Sequence, residues 1–312
     1  MKNIKIFSCS KEADEFTNKI CEKLGEPIGK INRFKFKNDN NFVQVLETTR
    51  EKDVWLIQQM VPPINERIME LLITIDCIKR CSPKNINVVL PYFPYSRSDK
   101  KDQPRIPITA KLIAELIEAA GATRVLTCDL HNPAIEAYFN INCDVISARF
   151  ELEKYFQNKN IENFVVVATD AGSSKKAYKY AEYFKCGIAL AQKHREGNTD
   201  TVSTDNIIGE VEGKNALIFD DEIDTAGSIL ETAKVLKRNG AKNIFVGATH
   251  GILSSNAIER IEKSDIKEVV ITDTVPHSNL PKNIKVLSIT DLFAKAIKLV
   301  NEEDSLDELF ER

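Results

Sequence analysis

The stretch Ala216-Leu217-Ile218-Phe219-Asp220-Asp221-Glu222-Ile223-Asp224-Thr225-Ala226-Gly227-Ser228 decides how this chain folds. Its first four residues are a short apolar run of the kind a buried strand uses, and helical periodicity resumes at Ile229. What lies between is a loop carrying Thr, Gly and Ser that joins strand to helix. A junction of this kind gathers anions, because free amides at the helix start point at the ligand and the helix dipole favours negative charge there. Thr225 and Ser228 add hydroxyl donors, and Gly227 lets the backbone come close. Asp224 and Ala226 complete the loop. Asp220 and Asp221 suit a phosphate site only if the ligand also carries a sugar, whose vicinal hydroxyls they can accept; they can also hold Mg²⁺ through water. An ordinary N-cap at Asp224 or Thr225 is the competing reading. Two further acids at the carboxyl end of a strand, where open α/β sheets bind their ligands, favour the ligand site.

Outward from this junction the same alternation repeats. Asp53–Gln58, Ile86–Pro91, Arg124–Cys128, Phe164–Thr169, Asn243–Ala248 and Glu268–Ile271 are continuous apolar runs suited to strands buried on both faces. Helical patterns cover Glu66–Arg80, Ile108–Ala120, Ser173–Phe184 and Ser228–Arg238, and Gly121 and Gly240 mark two helix ends. Strands alternating with helices predict an α/β fold with mainly parallel sheets. Gly121-Ala122 opens a strand that leads to His131, and Gly240-Ala241 opens one that leads to His250, each histidine ten residues after its glycine. Two similar halves, residues 1–149 and 150–312, account for the repetition.

The 312 residues suffice for two domains of ordinary size. An apolar fraction of 43%, a charged fraction of 29% and a net charge of −3 describe a soluble globular protein without a field for nucleic acid or an anionic membrane. No apolar run approaches the ~20 residues needed to span a bilayer, and the N-terminus reads as a short strand, so a cytoplasmic location is expected. Seven cysteines without a Cys-x-x-Cys pair indicate neither a disulfide framework nor a zinc site.

The segment Phe219–Ser228 resembles the phosphoribosyl-pyrophosphate loop shared by type I phosphoribosyltransferases and ribose-phosphate diphosphokinases. The first half selects the second group. Asn65 to Leu72, Pro91-Tyr92-Phe93-Pro94-Tyr95-Ser96-Arg97, Asp99-Lys100-Lys101, Pro107 to Leu112 and Asp129-Leu130-His131 resemble diphosphokinase motifs in family order. Asp170-Ala171-Gly172, Lys193-His194-Arg195, Thr249-His250-Gly251 and Thr272-Asp273-Thr274 continue the likeness. The resemblance implies two type I phosphoribosyltransferase-like domains, each a mainly parallel sheet flanked by helices. The first contributes ATP-binding loops, the second a ribose 5-phosphate loop and a flexible catalytic loop. It implies transfer of the diphosphate of Mg-ATP to the 1-hydroxyl of ribose 5-phosphate.

By the same resemblance Lys193 and Arg195 are catalytic, Arg195 also touching ribose 5-phosphate. Phe36, Asn38, Asp39, Asn40, Arg97, Ser98 and Asp99 bind ATP, with Phe93 or Tyr95 lining a base pocket. Asp220, Asp221, Asp224, Thr225, Ala226, Gly227 and Ser228 bind ribose 5-phosphate. His131, Asp129 and Asp170 serve the metal, Mg²⁺. Residues Glu196 to Asn206 are polar and aperiodic, as a closing loop requires. A homo-oligomer built from dimers, up to a hexamer, is expected. Asn40 stands where the family has Glu, Ser98 where it has Gln, and Thr48-Thr49-Arg50-Glu51 where it has Ser-x-Arg-Gly, which puts regulation by phosphate and ADP in question. A phosphoribosyltransferase consuming the same product, or a non-catalytic regulatory paralogue, are the alternatives.

Overall fold

The structure, a computed structural model, describes residues 3–195 and 202–310, with residues 192–195 and 202–205 described as backbone. The chain forms two compact units. One holds the residues up to Ser147, Thr274–Pro276 and the segment from Ser288 onward; the other holds Ala148–Asp273 and His277–Leu287.

The first unit runs β1 (Ile4–Ser8), α1 (Asp14–Leu24), β2 (Ile31–Lys35), β3 (Asn41–Val45), β4 (Asp53–Ile57), α2 (Ile64–Lys79), β5 (Asn85–Leu90), α3 (Thr109–Ala120), β6 (Arg124–Cys128) and β7 (Asn142–Ile146). Five strands form a parallel sheet in the order β1-β4-β5-β6-β7, while β2 and β3 pair separately as an antiparallel hairpin. Strand residues alternate between the two faces. Val54, Leu56, Val88, Leu90 and Val125 share one core with Ile68, Leu71, Ile75 and Ile78 of α2 and Ala110, Ile113, Ala114 and Ile117 of α3. Those helical residues recur every three or four positions, which is why one stripe of each helix can be buried. Each Leu or Ile so covered contributes roughly 1.5–3 kcal/mol. α3 stops at Gly121, whose φ of 126° a side chain would resist.

The second unit contains α4 (Arg149–Asn158), β8 (Phe164–Ala168), α5 (Ser174–Phe184), β9 (Gly187–Arg195), β10 (Val202–Ile208), β11 (Asn215–Ile223), α6 (Gly227–Arg238), β12 (Ile244–Gly251), α7 (Ala257–Glu262), β13 (Ile266–Thr272) and β14 (Ile284–Leu287). Its sheet runs β10-β9-β8-β11-β12-β13-β14, parallel apart from the β9–β10 pair. Phe219 is held by aromatic neighbours: Tyr180 stacks on it at 3.6 Å and Phe156 meets it edge-on at 5.4 Å. The chain then re-enters the first unit as α8 (Thr290–Asn301), whose Phe293 packs edge-on against Phe16 of α1.

Both units are thus mainly parallel α/β sheets flanked by helices. The observed β6 has the bounds expected from sequence. β11 and β12 run further than expected, to Ile223 and Gly251, because their ladder continues past Asp220. Among the described residues no helix is long and apolar enough to cross a membrane, and all seven cysteines are free.

Candidate functional site

In the second unit the acids lie on the strand itself. Asp220 sits opposite Ala248 and Glu222 opposite His250 in the β11–β12 ladder, so the expected loop beginning at Asp220 is corrected to the short turn Asp224-Thr225-Ala226. The turn is braced from the far side. Asp224 accepts the Ser254 amide at 3.1 Å through its carbonyl and the Ser254 hydroxyl through its carboxylate, and Arg260 donates to the Thr225 carbonyl at 2.8 Å. Ala226, at the N-cap position of α6, takes a left-handed φ of 62° and has no side-chain oxygen of its own to cap the helix. The N-cap position of α6 thus falls on Ala226 and not on Asp224 or Thr225, and a helix start of this kind can attract an anion through its amides and dipole. A Cβ added at Gly227 would meet nothing closer than Thr225 Oγ1 at 3.7 Å. Packing does not demand glycine here, and the space beside the first turn is open. Thr225 and Ser228 are exposed on it.

Asp220 and Asp221 form a charged pair with unequal environments. Asp221 is 8% exposed and takes an ion pair from Lys176 of α5 at 2.9 Å, while its amide donates to the Asp220 carboxylate at 2.9 Å. Burial pushes the Asp220 carboxyl from 3.8 up to about 7; the Asp221 charge adds to the rise and Lys176 opposes it. A carboxyl held at that point gains from any ligand that offers hydroxyl donors or a cation. Asp170 follows the adjacent parallel strand β8, which pairs Val167 with Ile218 of β11, so the acids leave neighbouring strands at the same edge. Its carboxylate accepts the Ser173 amide at 2.8 Å and its own amide donates to Ser173 Oγ at 3.1 Å, which fixes the turn into α5. Lys193 and Arg195 lie on the backbone of β9, with Lys193 opposite Thr204 and Arg195 opposite Val202; their side chains lie outside the described residues, as do residues 196–201 of the expected closing loop.

In the first unit the remaining candidates gather around the start of α2 and the carboxyl ends of β5 and β6. Arg97 is exposed on the turn after β5, and Tyr95 of that turn, at φ 58°, donates its hydroxyl to Asn65 at 2.6 Å. Next to Asn65, Glu66 pairs with Lys35 at 2.7 Å, and Lys35 also reaches Asp39 at 3.0 Å. Phe36, Asn38, Asp39 and Asn40 form the exposed tip of the β2–β3 hairpin, where Phe34, Phe36 and Phe42 cluster with centroids 4.6–5.7 Å apart. The first turn of α2 thus ties the hairpin to the Arg97 turn. Ser98 donates its amide to the Tyr95 carbonyl at 2.9 Å. Asp99 is 4% exposed and accepts from Asn132, and its carbonyl takes the Tyr138 hydroxyl. That places Asp99 directly beneath the turn bearing His131, which is exposed two residues beyond Asp129. Phe93 does not line a base pocket: it is 1% exposed and packs edge-on against Phe139. Of the two aromatics considered, only Tyr95 is accessible.

Sequence reasoning missed Lys176, Ser254, Arg260, and the anchoring by Asn65 and Glu66. One signal was available for the first. Lys175 and Lys176 stand in the first turn of α5, where the helix dipole disfavours cations, so an acid partner was called for.

Comparison with known proteins shows the family. The family described as the N-terminal domain of ribose phosphate pyrophosphokinase matches residues 4–121, and the phosphoribosyl synthetase-associated domain matches residues 200–311. The ribose-phosphate pyrophosphokinase of Fusobacterium nucleatum subsp. nucleatum is 43% identical over 313 residues, covering 99% of this chain and 98% of the relative. That of Bacillus subtilis is 42% identical over 311 residues with the same coverage. The crystal structure of phosphoribosylpyrophosphate synthetase from Mycobacterium smegmatis superposes with a TM-score of 0.90 at 33% identity, covering 97% of this chain and all of the other.

Proposed function

The chain belongs to the ribose-phosphate pyrophosphokinase family, and from that premise we propose how its own residues carry out the family's reaction. It is a diphosphotransferase that moves the diphosphate of ATP to ribose 5-phosphate, releasing AMP and phosphoribosyl pyrophosphate. The ribose 1-oxygen forms a bond to the β-phosphorus as its hydroxyl proton is lost to solvent, the bridge between α- and β-phosphorus breaks, and AMP leaves with the bonding pair. No covalent intermediate on the protein is needed, so the protein's tasks are alignment, charge neutralisation and exclusion of water.

The observation that supports the assignment of the sugar phosphate is the short turn Asp224-Thr225-Ala226 that leads into α6 directly after the Asp220–Asp221 pair, with Thr225 and Ser228 exposed on it. The 5-phosphate takes amides of the Thr225–Ser228 turn and the two hydroxyls. Asp220 and Asp221 accept from the ribose hydroxyls, and Lys176 fixes Asp221 in place from behind. Arg97 pairs with ATP phosphates, for which a planar guanidinium is suited, and Phe36 offers an exposed aromatic face for the base, with Asn38, Asp39 and Asn40 on the turn beside it. Ser98 and Asp99 hold the Arg97 turn in shape. Lys193 and Arg195 supply positive charge to the departing AMP oxygen, Arg195 also to ribose 5-phosphate.

Mg²⁺ is a hard cation that keeps several waters and uses one or two carboxylates; in the first unit the partly exposed Asp129, with His131 two residues on, would suit it, and in the second unit the partly exposed Asp170 would. The high pKa of Asp220 fits as well, since a nearby cation relieves it. When bound, Mg²⁺ supplies charge neutralisation to the phosphate oxygens. Soluble cytosolic operation as a dimer-based homo-oligomer completes the reading.

Incubation with Mg-ATP and ribose 5-phosphate tests it. Equal amounts of AMP and phosphoribosyl pyrophosphate are expected. Consumption of added phosphoribosyl pyrophosphate with a purine base would indicate a phosphoribosyltransferase instead, and no AMP from folded protein would indicate a non-catalytic paralogue.

A further inference from the structure

At the amino ends of β4 to β7, the end of the sheet opposite the Arg97 and His131 turns, the first unit contains a recess of about 210 Å³. One water needs only roughly 10–15 Å³ of such space, so the recess has room for a small organic molecule. The first residues of four neighbouring strands line it: Asp53, Asn85, Arg124 and Asn142. Trp55 and Asn87, two positions further on and paired across β4 and β5, form the next layer, and Asn301 and Glu303 at the end of α8 complete the wall. A sheet face covered by a helix is ordinarily apolar to its end. Here every strand presents a polar side chain instead, and the chemistry of the proposed reaction uses none of them.

Two features select the ligand. The first is an unmet donor: Trp55 is 1% exposed, yet its indole Nε1 finds no hydrogen-bond partner, an arrangement that is costly unless something accepts from it. The second is the absence of net charge. Lys84 lies 3.8 Å from Asp53, and Arg124 bonds Asp144, so the cations on the wall already have acids beside them. Amides remain. Asn87, 5% exposed, spends its Nδ2 on the Val54 carbonyl at 3.2 Å, which leaves its carbonyl oxygen as an acceptor, and Asn142 and Asn301 each offer a donor and an acceptor in one plane. Carboxamides pair with molecules that carry N–H and C=O or ring nitrogen side by side, as they do when they read base edges.

We propose that this recess is a second ligand site, which takes an uncharged nucleobase-type molecule between the amide-lined strand ends and the end of α8. Trp55 is the chain's single tryptophan, so its signal reports on this recess alone. The test incorporates 5-fluorotryptophan and follows the one ¹⁹F resonance while hypoxanthine or uracil is added, with the ATP site filled by a non-hydrolysable ATP analogue. A saturable shift at one base per chain is expected with at least one of the two. Asn142→Leu and, independently, Asn301→Ala should each weaken it roughly tenfold, the consequence of losing a paired amide contact. A resonance that neither base moves would mean that the recess holds water alone and would overturn the proposal. So would a titration unchanged in both variants.

Discussion

Replacing Asp220 by asparagine separates what this carboxyl costs the fold from what it does for the ligand. In the wild-type chain its pKa rises from 3.8 to about 7, through burial first and the Asp221 charge second. The folded state therefore holds the proton longer than the unfolded state does. Stability from this group is intact below the unfolded value and is lost progressively as pH climbs toward the folded one. The shift spans about three pH units, a cost of roughly 4 kcal/mol at pH 8 that shrinks to less than half of that at pH 5. Asparagine carries no such cost, and its carbonyl oxygen still accepts the Asp221 amide that Asp220 accepts at 2.9 Å. Asp220→Asn is expected to unfold at higher urea concentration than wild type at pH 8, with the gap narrowing by more than half at pH 5. Turnover should fall roughly 10²–10³-fold, as for other lost contacts that count in the transition state. Urea unfolding at the two pH values, with AMP release measured alongside, reads both effects. A variant no more stable than wild type at pH 8, or equally displaced at both pH values, would refute the linkage. Wild-type turnover would refute the role assigned to the carboxylate.

Three further outcomes follow from the same geometry. Lys193→Ala should keep its thermal midpoint and lose roughly 10²–10³ in turnover; near-normal AMP release would remove Lys193 from the mechanism. Gly227→Ala meets only Thr225 Oγ1 at 3.7 Å, so it should hold or raise stability, by up to about 1 kcal/mol, while the KM for ribose 5-phosphate rises about tenfold; an unchanged KM would show that the ligand does not approach this backbone. Glu51 sits at φ 55°, a left-handed conformation where the related motif has glycine. Glu51→Gly should therefore add about 0.5–1 kcal/mol in thermal unfolding, the relief of about 1–2 kcal/mol of backbone strain less the extra freedom of glycine in the unfolded chain. A fall in stability would mean that the side chain holds the turn.

Much of the fold was legible because its strands are buried on both faces: Arg124-Val125-Leu126-Thr127-Cys128 is apolar from within, and its ends were read to the residue. Asp220 and Asp221 were misread as loop because acids in sequence look like turn, and only the neighbouring β12 shows that the ladder continues through them. The β2–β3 hairpin escaped notice for the opposite reason. Its residues are mostly half-buried or exposed, so Ile31–Lys35 carries no clean alternation, and its tip was found only through the family motif. Side-chain direction was also beyond reach: Phe93 and Tyr95 are two residues apart on one turn, and one enters the core while the other faces out. The raised Asp220 pKa comes first from burial, and the opposing charge of Lys176 comes from another helix; spacing along the chain encodes neither.

The claim that the ribose 1-oxygen attacks the β-phosphorus is tested most directly with ribose 5-phosphate carrying ¹⁸O at its 1-hydroxyl, mixed freshly with Mg-ATP and followed by ³¹P NMR. The account predicts AMP and phosphoribosyl pyrophosphate in equal amounts, with the label retained in the bridge between C1 and the phosphorus that was β in ATP. Release of ADP, or loss of the label from that bridge, would contradict it.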